Sequence, residues 1–381
     1  MALNNNKNYN HASGYATTRS NSQASTLSGT ESTISSSSPT LLLDNLRTHH
    51  TQALVNVVSS TLYPTPVGVA ALMAALTELR RHFESPLSYI NAHPAAKTNA
   101  IEVLEHILIC WVCARASQAD AQNYSLESFV ATADGRFDKY AVIPVDAAAE
   151  TVQCISYLAT MSVGIAAVAR TSIPASLVLA ISFADDRKTQ TAIFRTLTKL
   201  CTKHSVRRVK AGGQWESDAG IYGVMDAFSR TKTALRLRNR FDALGNAAFT
   251  FVSDIASTGQ SPARLPTPPL SESSHNTGCS ESQSCFTPTD SSHQLSDRAA
   301  TSALAFVNAV VDAHSTVEAR LRVRKELLDT PLYQCFKLLE EPELAMTRAY
   351  QETRRFRRAY GNDIKTCNPQ VPSDYEKAAS C

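Results

Sequence analysis

The chain has 381 residues, of which 43% are apolar and 19% are charged, so it can bury a sizeable core. A formal net charge of +3 is too small to indicate nucleic acid or an acidic membrane as the main partner. Nine cysteines without a repeating spacing, and a polar start with no signal-peptide core, predict reduced thiols in the cytoplasm.

Three polar segments are predicted to be disordered, because they cannot bury enough apolar surface to offset the entropy of ordering. They are the Ser-rich tail 1–40, a Pro- and Ser-rich insert at 257–296 and the tail 361–381. The insert contains five prolines, each of which removes a backbone donor and fixes φ. This composition excludes a helix from the insert.

Elsewhere, apolar residues recur at spacings of three and four, which predicts helices. The first two include Val67–Leu79 and Ile101–Val112. The charge-free segment Thr151–Ala169 contains several polar residues, which favours a buried inner helix over a membrane span. From there on, the expected bounds are 147–161, 163–170, 174–184, 187–202, 219–229, 233–256, 299–311, 317–328, 331–339 and 343–360.

Helix groups recur roughly every 40 residues, as they do in armadillo and HEAT repeats. The predicted fold class is therefore all-α, an armadillo-like helical-repeat solenoid.

Three motifs in the chain resemble, in the same order, the FH3 armadillo repeats of diaphanous-type formins. LAFVNAVV at 304–311 followed by RLRVRKEL at 320–327 resembles the last repeat of that family. TVQCI and VGI, at 151–155 and 163–165, resemble an earlier repeat, and SPLSYI at 85–90 resembles the start of the first. The resemblance implies structural roles for Pro86, Tyr89, Cys154, Gly164, Asn308, Arg320, Arg324, Glu326 and Leu327.

The resemblance also implies a domain organisation and partners. GTPase-binding and FH3-like repeats would cover 41–256 and the last repeat 297–340, followed by a basic helix at 341–360. The implied partners are an activated Rho-family small GTPase at the N-terminal end and the autoregulatory tail helix of a formin. The chain would then control actin organisation in the cytoplasm, at the cytoskeleton. Only part of the family's GTPase-binding subdomain is represented, at about 41–83, and no segment resembles FH1 or FH2.

Several side chains have expected roles within this fold. The amide of Asn308 lies on an apolar helix face, so we expect it to bond to neighbouring backbone groups. Arg320 and Arg324 are four residues apart and share a face, which favours a bridge between repeats. The most apolar stretch suggests a groove for the tail helix, with Ile173, Leu177, Ala180 and Ile181 as candidate lining residues.

Catalytic and cofactor motifs are not recognisable, so we expect neither enzymatic activity nor a cofactor. Cys110 and Cys113 have C-x-x-C spacing but lie in a helical pattern without a preceding strand, which favours buried structural thiols over a redox pair. His49 and His50 are adjacent and do not share a helix face, so they do not predict a metal site.

Charge and phosphorylation motifs leave further alternatives open. Arginines 236, 238 and 240 on a long predicted helix, and arginines 354, 355, 357 and 358 around Phe356, favour solvated faces, with an anionic lipid or acidic partner as the alternative for the second cluster. LPTPPLS at 265–271 resembles a phosphodegron read by F-box ubiquitin ligases, with Thr267 and Ser271 phosphorylated. The rival functions are a generic armadillo/HEAT adaptor and a peripheral membrane protein that uses the basic C-terminal helix.

Overall fold

Helices make up all of the regular secondary structure in the residues that this computed structural model describes, which are 49, 51–59, 66–84, 99–118, 143–160, 162–202, 219–259 and 288–368. Residues 51–59 are helical. The longer helices are α1 (Pro66–Glu84), α2 (Ala100–Gln118), α3 (Val145–Leu158), α4 (Ser162–Ala169), α5 (Ile173–Ala180), α6 (Arg187–Cys201), α7 (Ala219–Leu235), α8 (Asp242–Gly259), α9 (Pro288–Asp312), α10 (Val317–Leu328), α11 (Leu332–Leu338) and α12 (Arg348–Cys367), with a 3₁₀ turn at Pro342–Leu344.

Five of these helices form a continuous row. Helix α1 packs on α3, α3 on α6, α6 on α9 and α9 on α12. Behind the row, α2 packs on α5, α5 and α4 pack on α7, and α8 packs on α11. One helix of each successive group therefore stacks on the corresponding helix of the next group, as in a helical-repeat solenoid. The predicted all-α helical-repeat fold is confirmed.

The helix N-termini follow ordinary capping chemistry. The side chain of Asp186 accepts a hydrogen bond from the backbone N–H of Thr189 at 2.7 Å and starts α6. Thr316 and Thr347 cap α10 and α12 in the same way. These side chains satisfy backbone donors that have no acceptor within the helix.

Aromatic side chains join α6, α7, α8 and α9 in the core. The ring of Phe194 lies 6.0 Å from Phe251 and 6.1 Å from Phe306. Phe228 stacks on Phe306 at 6.0 Å and meets Phe241 edge-on at 4.9 Å. Ring pairs at these distances add specific stabilisation to the burial of apolar area.

The helix predicted at 233–256 is wrong, because two helices occupy this region. Helix α7 ends at Leu235, and Arg236 has a positive φ of 53°. The N–H of Leu237 bonds to the carbonyl of Lys232, and that of Arg236 bonds to Thr233, which is the Schellman pattern of a helix C-terminus. The basic cluster at 236–240 therefore lies on a turn and not on a helix.

The bounds of the predicted insert and of the predicted C-terminal tail also differ from the structure. Helix α8 extends to Gly259 and helix α9 begins at Pro288, so residues 257–259 and 288–296 of the predicted insert are helical. Proline is tolerated there because its missing N–H would have no acceptor in the first turn. Helix α12 extends through Gly361 to Cys367, into the predicted tail. The rest of the predicted disordered segments, at 1–40, 260–287 and 369–381, lies outside the described residues.

None of the described helices combines the length and apolarity that crossing a bilayer requires.

Candidate functional site

The C-x-x-C pair lies in the middle of α2, within the core. Cys110 is buried and Cys113 is half-buried. Burial raises the pKa of the Cys113 thiol to about 11, which disfavours the thiolate that redox chemistry requires. His49 is exposed, and the described residues contain no group of His, Cys, Asp and Glu arranged to hold a metal ion.

Asn308 ties α9 to α12. Its amide nitrogen donates one hydrogen bond to the backbone oxygen of Glu352 at 3.1 Å and one to the carboxylate of Glu352 at 2.8 Å. The amide is buried, so without these acceptors it would destabilise the fold.

Arg320 and Arg324 meet on one carboxylate, that of Asp363 in α12. Arg320 donates from Nε and Nη2 at 3.0 and 2.6 Å, and Arg324 donates from Nη1. Arg324 is 1% exposed and Asp363 7% exposed, and the guanidinium of Arg324 also lies 5.5 Å from the ring of Phe356. The expected bridge between repeats thus takes the form of an ionic clamp between α10 and α12.

The two arginines set the protonation state of this clamp. Burial pushes the pKa of Asp363 upward, but the hydrogen bonds and positive charges of Arg320 and Arg324 outweigh it. The pKa of Asp363 therefore lies below its ordinary value, and the carboxylate is ionised at neutral pH.

Glu326 connects α10 to the turn between α7 and α8. Its carboxylate accepts a hydrogen bond from Nε of Arg240 at 2.7 Å, and its backbone oxygen accepts one from the amide of Asn239 at 2.8 Å. The following residue, Leu327, is fully buried. The polar residues of the 320–327 motif thus join α10 both to α12 and to the turn between α7 and α8.

Cys154 and Gly164 occupy close-packed positions at the other quoted motif. Cys154 of α3 is fully buried, with its Sγ 3.8 Å from the backbone oxygen of Leu76 in α1. A Cβ on Gly164 would lie 1.9 Å from the backbone oxygen of Leu158, so any larger residue requires the backbone to move. Pro86, Tyr89, Thr267 and Ser271 lie outside the described residues.

The candidate groove is wrong as predicted. Ile173, Leu177, Ala180 and Ile181 are all buried, and α5 is enclosed by α2, α7, α4 and α6. A helix that is apolar on every side belongs inside the array, so its side chains cannot line a surface groove.

The row of helices has one side that is exposed to solvent. We call it the row face. Salt bridges and hydrogen bonds connect adjacent members: Arg80 with Glu150 at 2.5 Å, Lys199 with the Ser156 carbonyl at 2.8 Å, and Arg355 with Asp312 at 2.8 Å. Its exposed and half-exposed residues include Ala70, Ala74, Glu78, Arg81, Asp146, Ala149, Gln153, Tyr157, Lys188, Thr191, Arg195, Thr198, Thr301, Ala305, Ala309, Asp312, Gln351, Arg355, Arg358 and Asn362.

Charge and side-chain size vary along the row face. Helix α3 contains two acidic residues and no basic one, whereas α6 contains four basic residues and no acidic one. On α9 the face carries the small residues Thr301, Ala305 and Ala309. These three residues recur at a spacing of four in the sequence, are each half-buried, and include Ala309, which also packs against the core.

The basic cluster on α12 divides into a buried and an exposed part. Phe356 is buried, with its ring 5.1 Å from Phe336, and Arg357 is half-buried and paired with Glu340. Arg354, Arg355 and Arg358 are exposed. The predicted solvated face is therefore only these three arginines.

No family model and no curated protein matches the chain. Among solved structures, it is similar to the crystal structure of E. histolytica Formin1 bound to EhRho1-GTPgammaS. The TM-score is 0.45 and the sequence identity 12%, over 87% of this chain and 84% of that chain.

Proposed function

We propose that this chain is a non-catalytic regulatory module of formin type, which binds an activated Rho-family small GTPase and a formin autoregulatory tail helix. In this role it would act in the cytoplasm, at the cytoskeleton, and control actin organisation. One observation carries the proposal. Asn308 and Arg320 of the quoted last-repeat motif each bond to another helix, and Glu326 of the same motif bonds to the turn between α7 and α8.

Those ties are informative because a helical repeat needs only apolar residues to stack. Burying polar groups such as the Asn308 amide, the two guanidinium groups and the Glu326 carboxylate lowers the free energy of unfolding unless each group has a bonding partner. All of them have one here, which supports a common structural origin for the motif and for the formin repeat that it resembles.

The row face supplies the surface for a helical partner. Small side chains on α9 let a helix approach closely, and Lys188 and Arg195 are exposed on the adjacent helix α6. A partner helix laid across successive row helices would bury apolar anchors at about 25 cal/mol per Å².

The GTPase is expected at the N-terminal end of the array, near residues 51–59 and α1. Val57 is a large apolar residue there that is 47% exposed. In a pull-down, the chain should retain a Rho-family GTPase loaded with a GTP analogue and not its GDP form. Val57→Glu should weaken retention, because a buried carboxylate would remain unpaired in the interface.

Tyr222→Glu is the matched control for that experiment. Tyr222 is 71% exposed on α7, outside the row, so the same charge should leave retention unchanged. Equal retention of both nucleotide forms across the family would count against the GTPase assignment.

The tail-helix partner has a separate test in actin assembly. In a pyrene-actin assay, the chain should slow assembly by an active formin fragment that keeps its tail. Ala305→Asp on the row face should abolish the slowing, whereas Asn246→Asp, exposed on α8, should not. If neither actin assembly nor GTPase retention responds, the generic armadillo/HEAT adaptor becomes the better interpretation.

A further inference from the structure

A surface cavity of about 260 Å³ lies on the outer side of α12. It is lined by Gln351, Arg354, Arg355, Arg358, Ala359 and Asn362. Three arginines, a glutamine and an asparagine from successive turns of one helix thus border one open surface space, and no acidic residue is among the described residues that line it. Planar guanidinium donors match the geometry of phosphate oxygens, so the lining suits a phosphate group.

The arginines at this cavity are available to a ligand. Arg358 is exposed and has no ion-pair partner among the residues of 288–368 or the rest of the described chain. Arg354 contacts only the ring of Tyr350, at 6.0 Å. Arg355 is paired with Asp312 at 2.8 Å and lies 3.8 Å from the carboxylate of Glu352, and because its side chain is 58% exposed these pairs are weak. On the opposite side, Phe356 and Asp363 hold α12 in place.

The basic surface extends beyond the cavity. Arg348 and Lys365 are also exposed and lie 17 residues apart, which corresponds to about 26 Å along a helix. Recognition of a peptide would need pockets for its side chains, and the only apolar residue lining the cavity is Ala359. A long basic helix face without such pockets fits a planar anionic surface better than a peptide.

We propose that this exposed face of α12 docks on an anionic membrane surface, with the phosphorylated headgroup of a phosphoinositide in the cavity. Gln351, Arg355, Arg358 and Asn362 of this surface also belong to the row face, but the vesicle test below requires neither the GTPase nor the tail helix. The helix keeps its apolar side in the protein core, so the contact is electrostatic and should weaken as salt concentration rises.

Vesicle co-sedimentation of the full chain tests the proposal. Three vesicle compositions are compared: phosphatidylcholine alone, phosphatidylcholine with phosphatidylserine, and phosphatidylcholine with phosphatidylinositol bisphosphate. One basic residue near an anionic membrane changes binding about fivefold, so Arg354→Gln with Arg358→Gln should reduce binding to the phosphoinositide vesicles about 25-fold. Neither arginine forms an ion pair in the described structure, so the melting temperature should not change.

Arg322→Gln with Lys325→Gln is the matched control. Both residues are exposed on α10, and the pair removes the same net charge. Retained binding in this control and loss in the α12 variant would support the proposal. Equal losses in both variants, absence of binding to any anionic vesicle, or tighter binding to a doubly phosphorylated peptide than to the vesicles would each overturn it.

Discussion

Asp363→Asn tests the clamp between α10 and α12. The substitution keeps the shape of the side chain but removes the carboxylate that accepts a hydrogen bond from the buried guanidinium of Arg324. Leaving a buried charge without its partner costs about 3–5 kcal/mol of unfolding free energy. For a chain of this size, the melting temperature should fall by at least about 6 °C.

The control for this experiment is Asp312→Asn, the same chemical change in an exposed pair. Asp312 and Arg355 are 46% and 58% exposed, so its loss should cost no more than about 1 kcal/mol. Adding Arg324→Met to Asp363→Asn should recover much of the lost stability, since the uncompensated charge is then gone. Equal melting temperatures for the Asp363 and Asp312 variants would refute the clamp.

The clamp should also depend on pH in a defined direction. Because the pKa of Asp363 is lowered in the folded chain, its contribution is complete above the unfolded value of about 3.9 and disappears as pH falls below it. The stability difference between the native chain and Asp363→Asn should therefore be constant near neutrality and shrink below about pH 4.

Three further predictions concern packing and thiol chemistry. Gly164→Ala should destabilise the chain by about 1–3 kcal/mol in urea denaturation, because the added Cβ would meet the Leu158 backbone oxygen. In the control Gly361→Ala, the added Cβ has nothing within 4 Å, so α12 should gain about 0.5–1 kcal/mol. Equal effects of the two substitutions would contradict the close approach at Gly164. Ala180→Asp should unfold the chain rather than block a partner, and a native circular dichroism spectrum would show that the site is not core. Iodoacetamide at pH 8 should modify the exposed Cys367 well before Cys113, because the raised pKa of Cys113 leaves little thiolate. Mass spectrometry of the peptides measures the order of modification, and modification of Cys113 first would contradict this prediction.

Periodicity predicted the helices well where apolar residues alone decide the outcome. The bounds of Val317–Leu328 match the prediction, because a capping Thr316 precedes its apolar pattern. The break at Arg236 could not be predicted, since no glycine marks the positive φ and the apolar pattern continues through Leu235 and Leu237. There, contacts with Glu326 of a distant helix hold the turn.

The surface was harder to predict than the fold for a related reason. Apolarity led to Ile173 and Leu177 being predicted as groove residues, which is wrong because an apolar pattern does not distinguish a groove from the interior. The acceptor for Arg320 and Arg324 was missed because 361–381 was predicted to be a disordered tail, and Asp363 lies within it. Such pairs join residues about 40 positions apart, which no local pattern records.

The position of Asp363 decides where this protein can be shortened. The sequence pattern suggests that the ordered part ends at Tyr360. A fragment that stops there would lack the Asp363 carboxylate, so Arg320 and Arg324 would lose their shared acceptor and Arg324 would remain beside the Tyr360 ring. Such a fragment should be poorly soluble or prone to proteolysis, although it contains every repeat motif. A fragment that ends after Cys367 includes the seven residues 361–367 and should be stable and soluble, whereas the fragment that ends at Tyr360 should aggregate.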